Sequence, residues 1–285
     1  MLRALLVSSR PLSWVNTAFP FAATYLVTQG VDLTLVVGAL YFLVPYNLAM
    51  YGINDVFDYE SDLLNPRKGG VEGAVLDRHM HRPTLIAVAV TNLPFLAYLV
   101  AVGSPLSWAV LAVSLFAVLA YSVPGLRFKE RPVLDSLTSS THFVSPAVFA
   151  LTLAGTVFTP QLWAVLAAFF LWGTASHAFG AVQDVLADRA AGIRSIATVF
   201  GARATVRFAV VVYLLAGSFL LFSAWPGPLA ALLALPYAIT CAVYWRMVDA
   251  EAETANRGWH RFLALNFVTG FLVTLLLIWW AVLVR

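Results

Sequence analysis

The chain has 285 residues, of which 61% are hydrophobic and 11% are charged, with one cysteine and a formal net charge of +3. A soluble domain is about 45–50% apolar and about 25% charged, so this composition excludes a soluble globular protein and describes an all-α, polytopic membrane protein. Cys241 alone excludes an intramolecular disulfide and leaves no cysteine-based zinc or iron–sulfur site.

Arg3 and Arg10 precede an apolar run that lacks a small-residue cleavage pattern, so it is expected to stay as a first membrane span. A bilayer core takes roughly 20 apolar residues per helix. Reading apolar runs between Pro, Gly and charges gives nine candidate spans: 11–29, 34–54, 84–103, 106–123, 136–156, 161–180, 205–224, 228–247 and 262–283. The connections alternate between short, nearly uncharged turns and longer loops at 55–83, 124–135, 181–204 and 248–261. With the N-terminus inside, every Lys and Arg except Arg285 falls on one side. Positive charge collects on the cytoplasmic side of membrane proteins, so the N-terminus is expected in the cytoplasm and the chain in the cell membrane. Topology and anion binding account for the positive charge, and no nucleic-acid partner is needed.

The first charged loop begins with Asn54-Asp55-Val56-Phe57-Asp58-Tyr59-Glu60-Ser61-Asp62, and the third with Asp184-Val185-Leu186-Ala187-Asp188. A chain this apolar has few carboxylates, and here they are grouped twice at i, i+3 or i+4. If the second span continues as a helix, Asn47, Tyr51, Asn54, Asp55, Asp58 and Asp62 share one stripe. Asp184 and Asp188 do the same after the sixth span, with His177 two turns above Asp184. Like charges stacked on one face repel unless a cation neutralises them. Hard cations such as Mg2+ take oxygen ligands and bridge to phosphate, so a diphosphate substrate at a membrane surface is expected.

The clusters follow the second and the sixth span. One domain is expected over 1–285, with a pseudo-repeat of spans 1–4 and 5–8 plus a ninth helix, and the nine helices arranged around a central cavity. Arg10, Arg67, Lys68, Arg127, Lys129 and Arg189 are the candidate phosphate ligands among the basic residues, with Arg194 nearby. Asn47 and Tyr51 are candidates for orienting the substrate chain. The run 135–142 is a candidate lining of the cavity mouth, and His79 and His81 are expected in a solvated loop.

Asn54-Asp55-x-x-Asp58-x-x-x-Asp62, the loop Tyr121-Ser122 to Arg127-x-Lys129, and Asp184-x-x-x-Asp188-Arg189 with Gly192 together resemble the UbiA-type intramembrane prenyltransferases over nearly the whole chain. Within that family, Arg10-Pro11-Leu12-Ser13-Trp14, the segment 62–73 and the segment 176–184 resemble the lycopene elongases of C50 carotenoid synthesis. The resemblance implies a Mg2+-dependent enzyme that ionises an allylic diphosphate. Asn54, Asp58 and Asp62 would hold one Mg2+, with Asp55 nearby, and Asp184 and Asp188 the other. Tyr121 and Ser122 would border the substrate, and Gln183 stands where many members have Tyr or Arg. The implied donor is dimethylallyl diphosphate, and the implied acceptor is the terminal double bond of lycopene, reached from membrane lipid. His177 is a candidate for accepting the last proton or placing a water.

An aromatic quinone precursor or another lipid acceptor is an alternative that keeps the same donor chemistry. A cation-coupled transporter would place its carboxylates near the bilayer midplane, whereas these lie at span ends.

Overall fold

The computed structural model describes residues 1–63 and 75–284, and among them there is no β-strand. The helices in chain order are α1 (Leu2–Ser8), α2 (Val15–Gln29), α3 (Leu33–Leu43), α4 (Pro45–Phe57), α5 (Tyr59–Leu63), α6 (His81–Ala101) and α7 (Pro105–Ser122). They continue with α8 (Leu134–Leu153), α9 (Pro160–Val182), α10 (Val185–Ala190), α11 (Ile196–Phe200), α12 (Ala202–Leu220), α13 (Ala234–Ala242) and α14 (Asn256–Trp279). Helical structure falls on every candidate span. Among the described residues, six helical segments are long and apolar enough to cross a bilayer unaided.

Local chemistry sets the boundaries. Asp32 caps α3 by accepting from the Leu35 amide at 2.8 Å, and the Tyr25 hydroxyl donates to the same carboxylate at 3.0 Å. Ser104 and Ser107 form a reciprocal capping box at the start of α7. Thr159 caps α9, with Pro160 in the first turn, where its missing N–H costs nothing.

The expected second span is not one helix. Pro45 has no amide hydrogen and crowds the turn before it, so the chain breaks at Val44 and restarts as α4. A second break falls at Asp58, with φ −104° and ψ 2°. The eighth candidate span is regular only over α13, because Gly227 and Pro228 begin it in 3₁₀ turns. The short helix α1 lies outside any predicted element. His81, expected in a solvated loop, instead starts α6; its Nε2 lies 2.9 Å from the Leu76 carbonyl and its ring meets Tyr59 edge-on. His79 is exposed.

The chain divides into two compact units. Unit 1 holds Met1–Phe128 and His142–Thr156; unit 2 holds Lys129–Thr141 and the chain from Val157 onward. The core of unit 1 is aromatic, built on Phe21, Tyr41, Phe42, Tyr46 and Phe149. Gly38 on α3 lets the Phe21 ring lie where any Cβ would collide with it. In unit 2, Phe179, Tyr213, Tyr237 and Phe262 join α9, α12, α13 and α14. Outside these cores the helices present apolar surface: Phe267, Phe271, Leu275 and Ile278 make an exposed stripe along α14. Such a stripe is stable facing hydrocarbon and a liability facing water.

Candidate active site

The first acidic motif lies in unit 1, across the break between α4 and α5. The Asp58 amide donates to the Asn54 carbonyl at 2.9 Å, and the Asp62 amide to the Asp58 carbonyl at 2.8 Å. Four-residue spacing therefore survives the break, and Asn54, Asp58 and Asp62 stay on one edge. All three are buried. The Asn54 side-chain amide donates to Asp58 Oδ2 at 2.6 Å and to Ser122 Oγ at 3.0 Å. Arg127 Nη2 stands 3.8 Å from Asp58 Oδ1.

Asp55 turns the other way. It has no exposed surface, and its carboxylate accepts from Ser8 Oγ at 2.7 Å and from Arg10 Nη2 at 3.2 Å. The Arg10 guanidinium also lies over the Tyr51 ring, 4.3 Å from its centroid. The expected single stripe thus resolves into two edges: Tyr51 and Asp55 toward α1 and Arg10, Asn54 and Asp58 toward α7. Each pair is four residues apart, one helical turn.

Arg10 and Arg127 share an unusual backbone. Their φ values are 50° and 40°, in the left-handed region that costs a non-glycine residue about 1–2 kcal/mol. Strain of this kind concentrates at functional sites, held in place by the surrounding structure. Both strained arginines approach a carboxylate of the first motif.

Asn47 serves the break at Pro45. Its amide nitrogen donates to Thr17 Oγ1 at 2.7 Å and to the carbonyls of Phe42 and Leu43 at 2.8 and 3.1 Å. These are carbonyls at the end of α3, where the helical ladder is interrupted. Tyr121 is partly buried near the end of α7, its ring 5.5 Å from that of His142 and nearly perpendicular to it. Lys129 lies in a 3₁₀ turn, Phe128–Glu130. Arg67 and Lys68 lie outside the described residues.

The second motif, in unit 2, begins just after a break. α9 ends at Val182, Asp184 precedes α10, and the Asp188 amide donates to the Asp184 carbonyl at 2.8 Å. Asp184 and Asp188 are both partly exposed, while Val185 between them is fully buried. Gln183 turns aside and accepts from the Asn256 amide at 2.6 Å. Arg189 is engaged by its own fold: Nε and Nη2 donate to the Thr198 carbonyl at 3.0 and 2.8 Å, and Nη1 to Asp249 at 2.6 Å. Burial raises the Asp249 carboxyl, but the Ala202 amide and Arg189 outweigh it and hold the carboxyl below its ordinary value. His177 on α9 is half-buried, with Nδ1 3.1 Å from Ser136 Oγ.

Residues 17–268 match the model of the UbiA prenyltransferase family. The chain belongs to that family. It is a prenyltransferase, and a multi-pass membrane protein. Among UbiA relatives, it is 60% identical over 281 residues to the C(50) beta-cyclic carotenoids biosynthesis protein LbtBC of Dietzia sp.; the match covers 98% of this chain and 65% of that protein. It is 52% identical to the lycopene elongase/hydratase of Corynebacterium glutamicum, over 97% of both chains. A UbiA homologue from Archaeoglobus fulgidus, solved bound to DMAPP and Mg2+, has the same fold: TM-score 0.70 at 19% identity, covering 93% of this chain and 98% of that one.

The UbiA donor set suits Mg2+ as this ion is usually held. Among the described residues no three His, Cys, Asp or Glu side chains converge into a closed cage. Mg2+ is commonly bound through one or two carboxylates, with water and substrate phosphate completing its shell. In the first motif, Asn54 directs its amino group at Asp58 and Ser122, and its amide oxygen is a hard ligand type of the kind the Asp58 and Asp62 carboxylates also supply. The Asp184 and Asp188 carboxylates offer hard oxygen ligands of the same kind.

Proposed function

We propose that this chain transfers the C5 group of dimethylallyl diphosphate to the ends of lycopene. The observation that carries this reading is the 52% identity, over nearly all of both chains, to a protein named lycopene elongase/hydratase. The UbiA fold alone supports many acceptors, since fold does not dictate substrate.

In this reading Asn54, Asp58 and Asp62 would hold one Mg2+, and Asp184 and Asp188 the other. When bound, Mg2+ neutralises charge developing on the leaving diphosphate. Arg127 contributes a planar fork to phosphate oxygens and Lys129 a point charge; Arg67 and Lys68 have the same task from outside the described residues. Asp55 holds Arg10 over Tyr51 at the edge of the motif, and Tyr121 and Ser122 border the substrate from α7. Asn47 and Arg189 are structural, because their donors already serve the fold. Apolar helices keep water from the allylic cation, and aromatic faces stabilise it. The acceptor is an alkene, whose π electrons attack without a base to activate them. The site opens toward the cytoplasm, on the side where the basic residues collect.

Purified protein supplied with Mg2+, dimethylallyl diphosphate and lycopene is expected to give C45 and C50 products by chromatography and mass spectrometry. Absence of both, with the C5 group transferred to an aromatic acceptor and diphosphate released to solution, would remove lycopene from the reading.

A further inference from the structure

Helices α13 and α14 pair antiparallel within unit 2. The Tyr237 hydroxyl donates to Asn266 Oδ1 at 2.9 Å, and an added Cβ at Gly258 would sit 2.7 Å from the Tyr244 ring. These two contacts fix the register. Arg261 therefore stands about level with Ala242, roughly one turn in from Trp245 toward the middle of the pair. Tyr and Trp collect at the membrane–water interface, and Tyr244 and Trp245 mark that level here.

A groove of about 450 Å³ runs along this pair. Pro236, Ile239, Ala264, Leu265 and Val268 form its walls, and Arg261 closes one end. Ligand sites span about 300–1,000 Å³, so there is room for part of a chain. Thr240 also lines the groove, but its hydroxyl donates to the Pro236 carbonyl at 2.8 Å. Ile239 and Val268 are 64% and 55% exposed, so the groove opens sideways onto the hydrocarbon. From Arg261 to Val268 it follows about 10 Å of helix.

The groove is thus apolar along its length and cationic at one end. The other arginines nearby have protein partners. Arg203 donates to the carbonyls of Met247 and Arg246, each at 3.4 Å, Arg207 to that of Trp245 at 3.3 Å, and Arg189 to Asp249. Arg261 has no hydrogen bond or ion pair among the described residues. Arg257 lies one turn before it on the same edge, and like charges so placed repel. Side chains on a helix lean toward its N-terminus, so the Arg261 guanidinium reaches back toward the interface. An anion there relieves both the repulsion and the cost of a cation at the edge of the bilayer.

We propose that this groove holds an anionic phospholipid, with its phosphate on Arg261 and one acyl chain between α13 and α14. Basic sites between membrane helices take lipid headgroups in this way. Lycopene is neutral and gains nothing from the arginine. The proposal goes beyond the elongase reading and does not depend on it.

The test uses the whole protein in nanodiscs of equal phosphatidylglycerol and phosphatidylcholine, with retained lipid counted by native mass spectrometry. Phosphatidylglycerol should be retained about fivefold over phosphatidylcholine, the factor one cation supplies at an anionic lipid surface. Arg261→Gln should remove that preference. Arg3→Gln, which neutralises an exposed arginine on α1, should leave it intact. Val268→Trp fills the groove and should lower retention of both lipids; if it does not fold, the two arginine variants carry the test. Soluble glycerol phosphate should fail to displace the lipid. A wild-type protein without preference, a preference that survives Arg261→Gln or is lost equally in Arg3→Gln, or displacement by glycerol phosphate alone overturns the proposal.

Discussion

The two acidic motifs share a backbone design and differ in surroundings. Both lie at a helix break, the first spanning it through Asp58 and the second starting just after it, and both keep four-residue amide-to-carbonyl bonds. Asp55, Asp58 and Asp62 are 0%, 4% and 7% exposed, whereas Asp184 and Asp188 are partly open. Burying a carboxylate is costly unless it is paired and hydrogen-bonded, and the first motif carries partners accordingly: Asn54 on Asp58, Ser8 and Arg10 on Asp55, Arg127 at Asp58. In the second motif Arg189, next in sequence to Asp188, donates to Thr198 and Asp249. What separates the motifs is burial: the first is enclosed by its fold, and the second is partly open to its surroundings.

The largest expected effects break both motifs at their carboxylates. Asp58→Asn should lower the rate of diphosphate release about a thousandfold, and Asp188→Asn about a hundredfold, in the range of lost transition-state electrostatics. Single-turnover release from dimethylallyl diphosphate with lycopene and Mg2+ measures both. Unchanged release in the two variants would sink the two-metal site. Equal losses would show that the difference in burial between the motifs does not matter for the chemistry.

A smaller effect sharpens the role of Asp55. Arg10→Ala removes one charged hydrogen-bond partner from a buried carboxylate and should destabilise unit 1 by about 2 kcal/mol. Thermal unfolding in detergent reads it, and the same substitution in the background of Asp55→Asn should cost much less. If the two losses simply add, Asp55 and Arg10 are not coupled.

The smallest effects belong to Arg189. Arg189→Ala should cost about 1 kcal/mol or less, as an exposed ion pair does, and change turnover by less than about threefold. A hundredfold loss would return Arg189 to the phosphate site. Because the folded Asp249 carboxyl lies below its ordinary value, the stabilisation it gives is present above the unfolded carboxylate range, about pH 4. That stabilisation is lost as pH falls through the lower folded value. The gap in melting temperature between wild type and Arg189→Ala should therefore close under acid, and a gap constant down to pH 2 would exclude Asp249 as the partner.

Much of the site is legible one residue type at a time. Four-residue spacing places Asn54 with Asp58 and Asp184 with Asp188 on shared helix edges whatever surrounds them, while the break at Pro45 and the irregular start of the eighth span fell inside spans expected to be continuous. Several assignments were not legible. Asp55 and Asp58 are three apart and chemically alike, yet one faces α1 and the other α7. Asn47 reads as a polar residue in an apolar span, and only the carbonyls of Phe42 and Leu43 reveal its task. Arg189 follows Asp188 directly and looks like part of the motif, but its partners lie at Thr198 and Asp249.

The sequence by itself determined the surroundings, the helical class and the chemical class: composition excludes water as the surroundings, apolar runs mark where helices fall, and paired carboxylates with hard oxygens imply a cation on phosphate. Tertiary structure decided which polar groups belong to chemistry and which to the fold. Hydrogen bonds are short-ranged and directional, so the task of a side chain depends on groups brought beside it from far along the chain. Ser8 reaches Asp55 across 47 positions and Ser122 reaches Asn54 across 68. The left-handed backbones of Arg10 and Arg127 have the same origin: no local preference favours them, and only the surrounding contacts hold them there.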